Sequence, residues 1–66
     1  MQRERALFLT QAKAYLNARA AAIRNGCSLD RSRTDVRVYP QRKRGEVVGY
    51  EAWYPENGVL VPVLEV

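Results

Sequence analysis

The chain has 66 residues, of which 47% are hydrophobic, with a single cysteine and no histidine. One cysteine excludes an intramolecular disulfide, and a lone thiol without histidine cannot form a zinc site. A chain of this length buries only about 60% of its unfolded surface. The sequence therefore predicts one small domain, residues 1–66, that would be stabilised by a protein partner or by self-association.

The net charge of +4 is unevenly distributed along the chain. Residues 31–44 carry six basic side chains against Asp35, a balance of +5, whereas residues 45–66 carry four glutamates and no basic residue, a balance of −4. A basic segment suits nucleic acid or an acidic protein. Nine of the eleven basic residues are arginine, and GC-rich codon usage also produces arginine, so the position of the charges is more informative than their number.

The N-terminal region lacks the unbroken apolar stretch of a signal peptide or a membrane span, because Lys13, Asn17 and Arg19 interrupt it. We therefore predict a cytoplasmic protein with a reduced thiol at Cys27 and no membrane partner.

Residues 3–25 predict a helix, because they contain neither glycine nor proline and are rich in good helix formers. Asn25 and Gly26 are expected to end it, with Gly26 in the left-handed conformation. At the helical period of about 3.6 residues, one apolar stripe is predicted to face the core. It consists of Phe8, Leu9, Ala12, Tyr15, Leu16, Ala20 and Ile23.

The opposite side of this helix holds smaller residues at a 4-3-4-3 spacing, which permits close packing of two helices in a homodimer. Alanine is also a good residue for an exposed helix surface, and we favour that simpler explanation. The second stripe consists of Leu7, Gln11, Ala14, Ala18 and Ala21.

Residues 27–34 predict a loop that buries Leu29, after which the hydrophobic period changes to two, as in β-strands. Strands are expected at residues 35–41, 46–54 and 59–65. The sequence thus predicts an α+β fold with one N-terminal helix packed on a three-stranded antiparallel sheet, in the order α-β-β-β.

The first turn predicts a three-residue loop, 43–45, with Gly45 left-handed. This register places Arg37 opposite Glu51 and Arg42 opposite Glu46, so that opposite charges pair across the strands. In the second turn, either two or four of residues 55–58 form the loop. The side chains expected to face the helix are Val36, Val38, Val48, Tyr50, Ala52 and Tyr54.

One helix cannot cover both faces of a three-stranded sheet, so we expect an apolar patch on the outer face unless part of the helix, the loop or the N-terminal residues folds over it. Exposed apolar and aromatic groups with basic neighbours are typical of protein interfaces. We therefore favour a non-enzymatic regulator or inhibitor, similar in kind to small phage or mobile-element proteins. Its predicted protein-binding residues are Trp53, Tyr39, Val47, Arg42, Lys43 and Arg44.

The alternative is a DNA- or RNA-binding module that uses the basic segment 31–44 to contact phosphates. Its predicted nucleic-acid-binding residues are Arg31, Arg33, Arg37, Arg42, Lys43 and Arg44. A third possibility is a homodimer that buries the strand at 59–65 or the alanine stripe.

No catalytic site is predicted. Cys27 follows a helix C-terminus, where the dipole disfavours a thiolate, and no histidine can act as its base. The glutamates are scattered, and no glycine-rich loop could hold a phosphate. We therefore expect no cofactor, no metal and no small-molecule substrate.

Overall fold

The computed structural model describes residues 3–65. Its strands form one antiparallel sheet in the order β1-β2-β3, and α1 packs on one face of it, which confirms the predicted α+β arrangement. The single-domain prediction also covers Met1, Gln2 and Val66, which lie outside the described residues. In chain order the elements are α1 (Gln11–Arg24), α2 (Leu29–Thr34), β1 (Arg37–Lys43), β2 (Glu46–Glu56) and β3 (Val59–Pro62).

The first helix begins at Gln11, so the predicted start near residue 3 is wrong. Thr10 has an extended backbone, and its hydroxyl accepts a hydrogen bond from the backbone N–H of Lys13 at 3.1 Å. This N-cap satisfies one of the amide groups that a helix start leaves unpaired. The helix ends as predicted, with Gly26 at a φ of 91° and the N–H of Cys27 donating to the carbonyl of Ala22.

Residues 3–8, here called the N-terminal segment, are extended and pair with the sheet instead of forming a helix. The N–H of Phe8 donates to the carbonyl of Tyr50 at 2.9 Å, and the N–H of Ala6 donates to the carbonyl of Val63 at 3.0 Å. β3 is only four residues long. The N-terminal segment supplies hydrogen-bond partners for backbone groups that β3 does not pair. These tertiary hydrogen bonds outweigh the helical preference of the segment.

The face of α1 that packs on the sheet is the opposite of the predicted one. Ala14, Ala18 and Ala22 are fully buried, whereas Leu16 and Ile23 are 58% and 40% exposed. Of the predicted stripe, Phe8 and Tyr15 alone pack against the buried cluster, and Leu9, Ala12 and Ala20 are also exposed.

This inversion follows from side-chain size. The inner face of the sheet already carries the large side chains of Val38, Tyr50 and Tyr54, and Phe8 of the N-terminal segment packs beside them. A protein interior is close-packed, so a helix that lies on this surface must present small residues. Ala14, Ala18 and Ala21 of the second stripe are therefore core and not exposed helix surface, whereas Leu7 and Gln11 of that stripe are exposed.

The predicted loop at 27–34 contains the short helix α2. The Ser28 hydroxyl accepts from the N–H of Arg31 and caps its start. Leu29 is exposed, contrary to prediction, and Ser32 is buried in its place, donating to the carbonyl of Leu29 at 2.7 Å. The Arg19 Nε donates to the Ser32 hydroxyl at 3.4 Å and so links α1 to α2.

The first hairpin turns through two residues, Arg44 and Gly45, with φ angles of 55° and 83°, so the predicted three-residue loop is wrong although Gly45 is left-handed as expected. Lys43 pairs with Glu46. A β-bulge then shifts the register between Gln41 and Arg42, which leaves Val48 as the extra residue.

The bulge moves the pairing by one residue and thereby restores the predicted faces. Val38 pairs with Ala52, and both contribute to the core side with Val36, Tyr50 and Tyr54. The exception is Val48, which is exposed because it lies at the bulge.

The second turn consists of Asn57 and Gly58, with φ angles of 52° and 81°, which selects the two-residue loop from the two alternatives. The strand limits differ from prediction by two or three residues. β1 is displaced two residues towards the C-terminus, β2 runs to Glu56 and β3 ends at Pro62.

Candidate functional site: a basic groove on the outer face of the sheet

The outer face of the sheet, opposite α1, carries an aromatic pair. Tyr39 and Trp53 lie edge to face, with ring centroids 6.3 Å apart and an interplanar angle of 78°. The guanidinium carbon of Arg5 lies 5.0 Å from the centroid of Trp53, within the range of a cation–π contact. Trp53 is half-buried, with the Arg5 side chain over its ring, while Tyr39 stays exposed.

Glu51 lies in the middle of this face and is only 6% exposed. Its carboxylate accepts hydrogen bonds from the Trp53 indole at 3.0 Å, from the Gln41 amide and from the Arg5 guanidinium at 3.4 Å. A buried carboxylate needs such donors to offset the loss of water. Together, Glu51 and its three donors attach the N-terminal segment to the outer face and orient Trp53.

Gly49 allows the N-terminal segment to approach the sheet closely. A Cβ atom at this position would lie 3.1 Å from the Cβ of Leu7 and 3.4 Å from the carbonyl oxygen of Phe8. Both distances are tight, so the absence of a side chain at Gly49 permits the contact.

An open groove of about 660 Å³ lies beside Glu51. Arg3 and Arg5 come to it from the N-terminal segment, and Arg42 and Lys43 come from the end of β1. Leu7 and Val48 add apolar surface. The groove, a name kept for this surface, is lined by Arg3, Glu4, Arg5, Leu7, Gln41, Arg42, Lys43, Val48 and Glu51.

The groove holds four basic side chains against two carboxylates. Within residues 3–65 the ion pairs are Arg5 with Glu51 and Arg31 with Asp35. Arg3, Arg42 and Lys43 therefore have no carboxylate partner in the described part of the chain. Their charges face solvent and are available to an anionic partner.

The hairpin tip, residues 42–48, extends the groove into solvent, because all seven residues are exposed. Arg44 occupies the turn, and Val47 lies beside the basic residues and pairs with Arg42 across the strands. Val48 is 51% exposed. Positive charge and aliphatic surface are thus adjacent at the tip.

The remaining predicted site residues lie apart from the groove. Arg31 pairs with Asp35 at 3.1 Å. Arg37 donates to the backbone carbonyls of Thr34 and Val36, at 2.6 and 2.8 Å. Arg33 is exposed on α2.

The two predicted cross-strand charge pairs are wrong. Arg37 lies opposite Trp53 rather than Glu51, and Arg42 lies opposite Val47 rather than Glu46. The two-residue turn shifts both pairings by one residue. The bulge shifts the pairing of Arg37 by one residue more.

The structure adds groove residues that the sequence interpretation missed: Arg3, Glu4, Arg5, Leu7, Gln41, Val48 and Glu51. One signal for the N-terminal ones was present, because Thr10 is a preferred N-cap residue and favours a helix that begins after it. No signal in the sequence marked the bulge at Val48.

Other parts of the described chain offer less chemistry. Cys27 is half-buried against the core. Within residues 3–65 no cluster of three His, Cys, Asp or Glu side chains could hold a metal ion. Neither of the two helices in that range is long and apolar enough to cross a membrane.

Compared with protein-family models, with curated proteins and with solved structures, the chain gives no significant match.

Proposed function

We propose that this protein is a non-enzymatic regulator or inhibitor that binds an acidic protein partner through the groove and the hairpin tip. The observation that carries the proposal is the convergence of two distant segments. Arg3 and Arg5 of the N-terminal segment and Arg42 and Lys43 of β1 surround one concave surface that also presents Leu7 and Val48.

Charge and apolar surface have separate roles in such an interface. Basic residues at the rim accelerate encounter with an acidic protein and favour it over other partners. Desolvated apolar contacts then slow dissociation. Val47, Val48 and Leu7 supply exposed aliphatic surface next to the cations, a combination that suits a protein better than a bare phosphate backbone.

Trp53 has a different role from the one expected for an exposed anchor. Its indole is held by Glu51 and covered by Arg5, so its main effect is to shape one side of the binding surface. Tyr39, which is exposed and packs edge to face with Trp53, is the aromatic side chain available for contact.

The proposal places the interaction in the cytoplasm, where a lone cysteine such as Cys27 remains reduced. By analogy with small phage and mobile-element proteins, a small protein that covers an acidic surface on a larger one would act without catalysis.

Selection from a displayed library of random peptides on the immobilised protein tests the proposal. We expect enriched peptides to combine Asp or Glu with aliphatic or aromatic residues. The double variant Arg42→Ala/Lys43→Ala should weaken a selected, fluorescein-labelled peptide by about tenfold, mainly through the association rate. Val48→Ser should instead increase the dissociation rate.

Arg33→Ala is the matched control for the single variant Arg42→Ala, because each removes one exposed arginine and one unit of charge. A specific groove requires that Arg42→Ala weaken binding and that Arg33→Ala leave it unchanged. Equal effects would show that net charge alone attracts the peptide and would refute the groove as a binding site.

A second candidate function is nucleic-acid binding, favoured by the clustering of Arg42, Lys43 and Arg44 at an exposed β-hairpin tip. Fluorescein-labelled 20-bp DNA and RNA duplexes test it. Binding that falls steeply with salt and is lost in the triple variant Arg42→Ala/Lys43→Ala/Arg44→Ala, with no acidic peptide selected, would favour this candidate over the first.

A further inference from the structure

The side of α1 that faces away from the sheet carries an exposed apolar ridge: Ala12, Leu16, Ala20 and Ile23, with Leu9 just before the N-cap. Leu9 is 80% exposed, the highest value among the large hydrophobic residues described. The ridge lies on the opposite side of the molecule from the groove, because α1 and the groove occupy opposite faces of the sheet.

The spacing along the ridge is that of a helix-binding surface. Leu16 and Ile23 lie seven residues apart on α1, and Ala12 and Ala20 lie on the same side of the helix. Large residues separated by small ones form the knobs and hollows into which a second helix packs. The alanines on one face of α1 contact the sheet. The ridge on the other face packs against no element within residues 3–65.

The charges beside the ridge all have the same sign. At about 100° per residue, Lys13 and Arg24 fall on one flank and Arg19 on the other. The sequence contains no acidic residue between Glu4 and Asp30. Lys13 and Arg24 are exposed, and neither forms an ion pair within the described residues.

This charge pattern decides between occupants. A second copy of the chain would bring Lys13 and Arg24 against the same cations, and like charges across a helix pair are unfavourable. A helix with apolar residues at the same spacing and acidic residues on its flanks complements the ridge in both respects.

We propose that the ridge of α1 is a second interaction surface, which docks an acidic amphipathic helix of a partner protein. The docked helix buries Leu16 and Ile23 at its centre and pairs its carboxylates with Lys13 and Arg24. This surface functions independently of the groove, so that the protein can bridge two partners or hold one partner at two points.

The probe is a fluorescein-labelled four-heptad peptide with Val at a, Leu at d and Glu at every e and g position, whose own charges oppose self-pairing. Its sister peptide carries Lys at e and g. Fluorescence anisotropy should show binding of the acidic peptide and not of the basic one. Lys13→Glu/Arg24→Glu should reverse that preference.

Leu16→Gln should weaken the acidic peptide by at least about tenfold, because one buried leucine contributes that much to association. Val59→Gln is the matched control, since Val59 is 63% exposed against 58% for Leu16 but lies on β3. Arg42→Ala/Lys43→Ala should leave this binding unchanged within about twofold, which separates the ridge from the groove.

Three results would overturn the proposal. The first is acidic-peptide binding that is insensitive to Leu16→Gln or is abolished by the groove variant. The second is a dimer in light scattering that Leu16→Gln converts to a monomer, which would make a second copy the occupant. The third is failure to bind the peptide together with Leu16-dependent binding to phosphatidylglycerol vesicles, which would indicate a membrane surface.

Discussion

The two faces of α1 are both apolar, but they differ in the size of their side chains. The face of α1 that packs on the sheet presents Ala14, Ala18 and Ala22, all fully buried. The exposed face of α1 presents Leu16 and Ile23. Burial of the larger side chains would remove more apolar surface from water, yet the smaller ones are inside. Available volume, rather than hydrophobicity alone, therefore selects the packed face when the sheet already carries large side chains.

Enlarging an inner alanine of α1 should have the largest effect on stability. Ala18→Leu should lower the free energy of unfolding by about 2–3 kcal/mol, because the added side chain has no space between helix and sheet. Urea denaturation followed by circular dichroism measures the loss.

Ala20→Leu is the matched control, two residues away on the exposed side of the same helix. It should change the free energy of unfolding by no more than about 0.5 kcal/mol. Equal destabilisation by the two substitutions would contradict the orientation of α1.

A smaller effect tests where the helix begins and hence which residues can lie on either face. Thr10→Ala should cost about 1 kcal/mol of stability, because the N-cap hydroxyl that accepts from Lys13 is lost. A helix that began near residue 3 would place Thr10 in its interior, and alanine would then stabilise it by a few tenths of a kcal/mol. The sign of the change in urea denaturation therefore decides between the two starts.

Thr34→Ala is the matched control for Thr10→Ala. Thr34 is exposed at the end of α2, where its hydroxyl is not an N-cap. We expect a change of less than about 0.5 kcal/mol.

The smallest expected effect concerns the exposed face of α1. Leu16→Gln should leave the free energy of unfolding within about 0.5 kcal/mol of the parent, since the side chain is already exposed. In a core position the loss of a leucine typically costs about 2–5 kcal/mol. A loss in that range on thermal or urea unfolding would show that Leu16 belongs to the core and would contradict the ridge as an exposed surface.

Parts of the fold could be predicted because they depend on neighbouring residues. Gly26 ends α1 and Gly45 and Gly58 complete the turns, since each adopts a positive φ that glycine tolerates best. The period-two pattern correctly assigned Val36 and Val38 to the core side of the sheet.

The groove could be predicted only in part. Arg42 and Lys43 of the groove, with Arg44 of the adjoining hairpin tip, were predicted as binding residues from their local charge. Arg3 and Arg5, however, belong to a segment whose composition predicted a helix. Their position depends on hydrogen bonds to residues more than forty positions away, such as that between Arg5 and Glu51. Single-sequence patterns do not contain such pairings.

The order and kind of the main elements, the end of α1 and the glycine turns could be read from local conformational preferences and the hydrophobic period. Tertiary structure alone decided which face of α1 is buried, that residues 3–8 join the sheet, and that a bulge at Val48 corrects the register. Those outcomes depend on the volume left between helix and sheet and on which backbone groups of β2 and β3 remained unpaired.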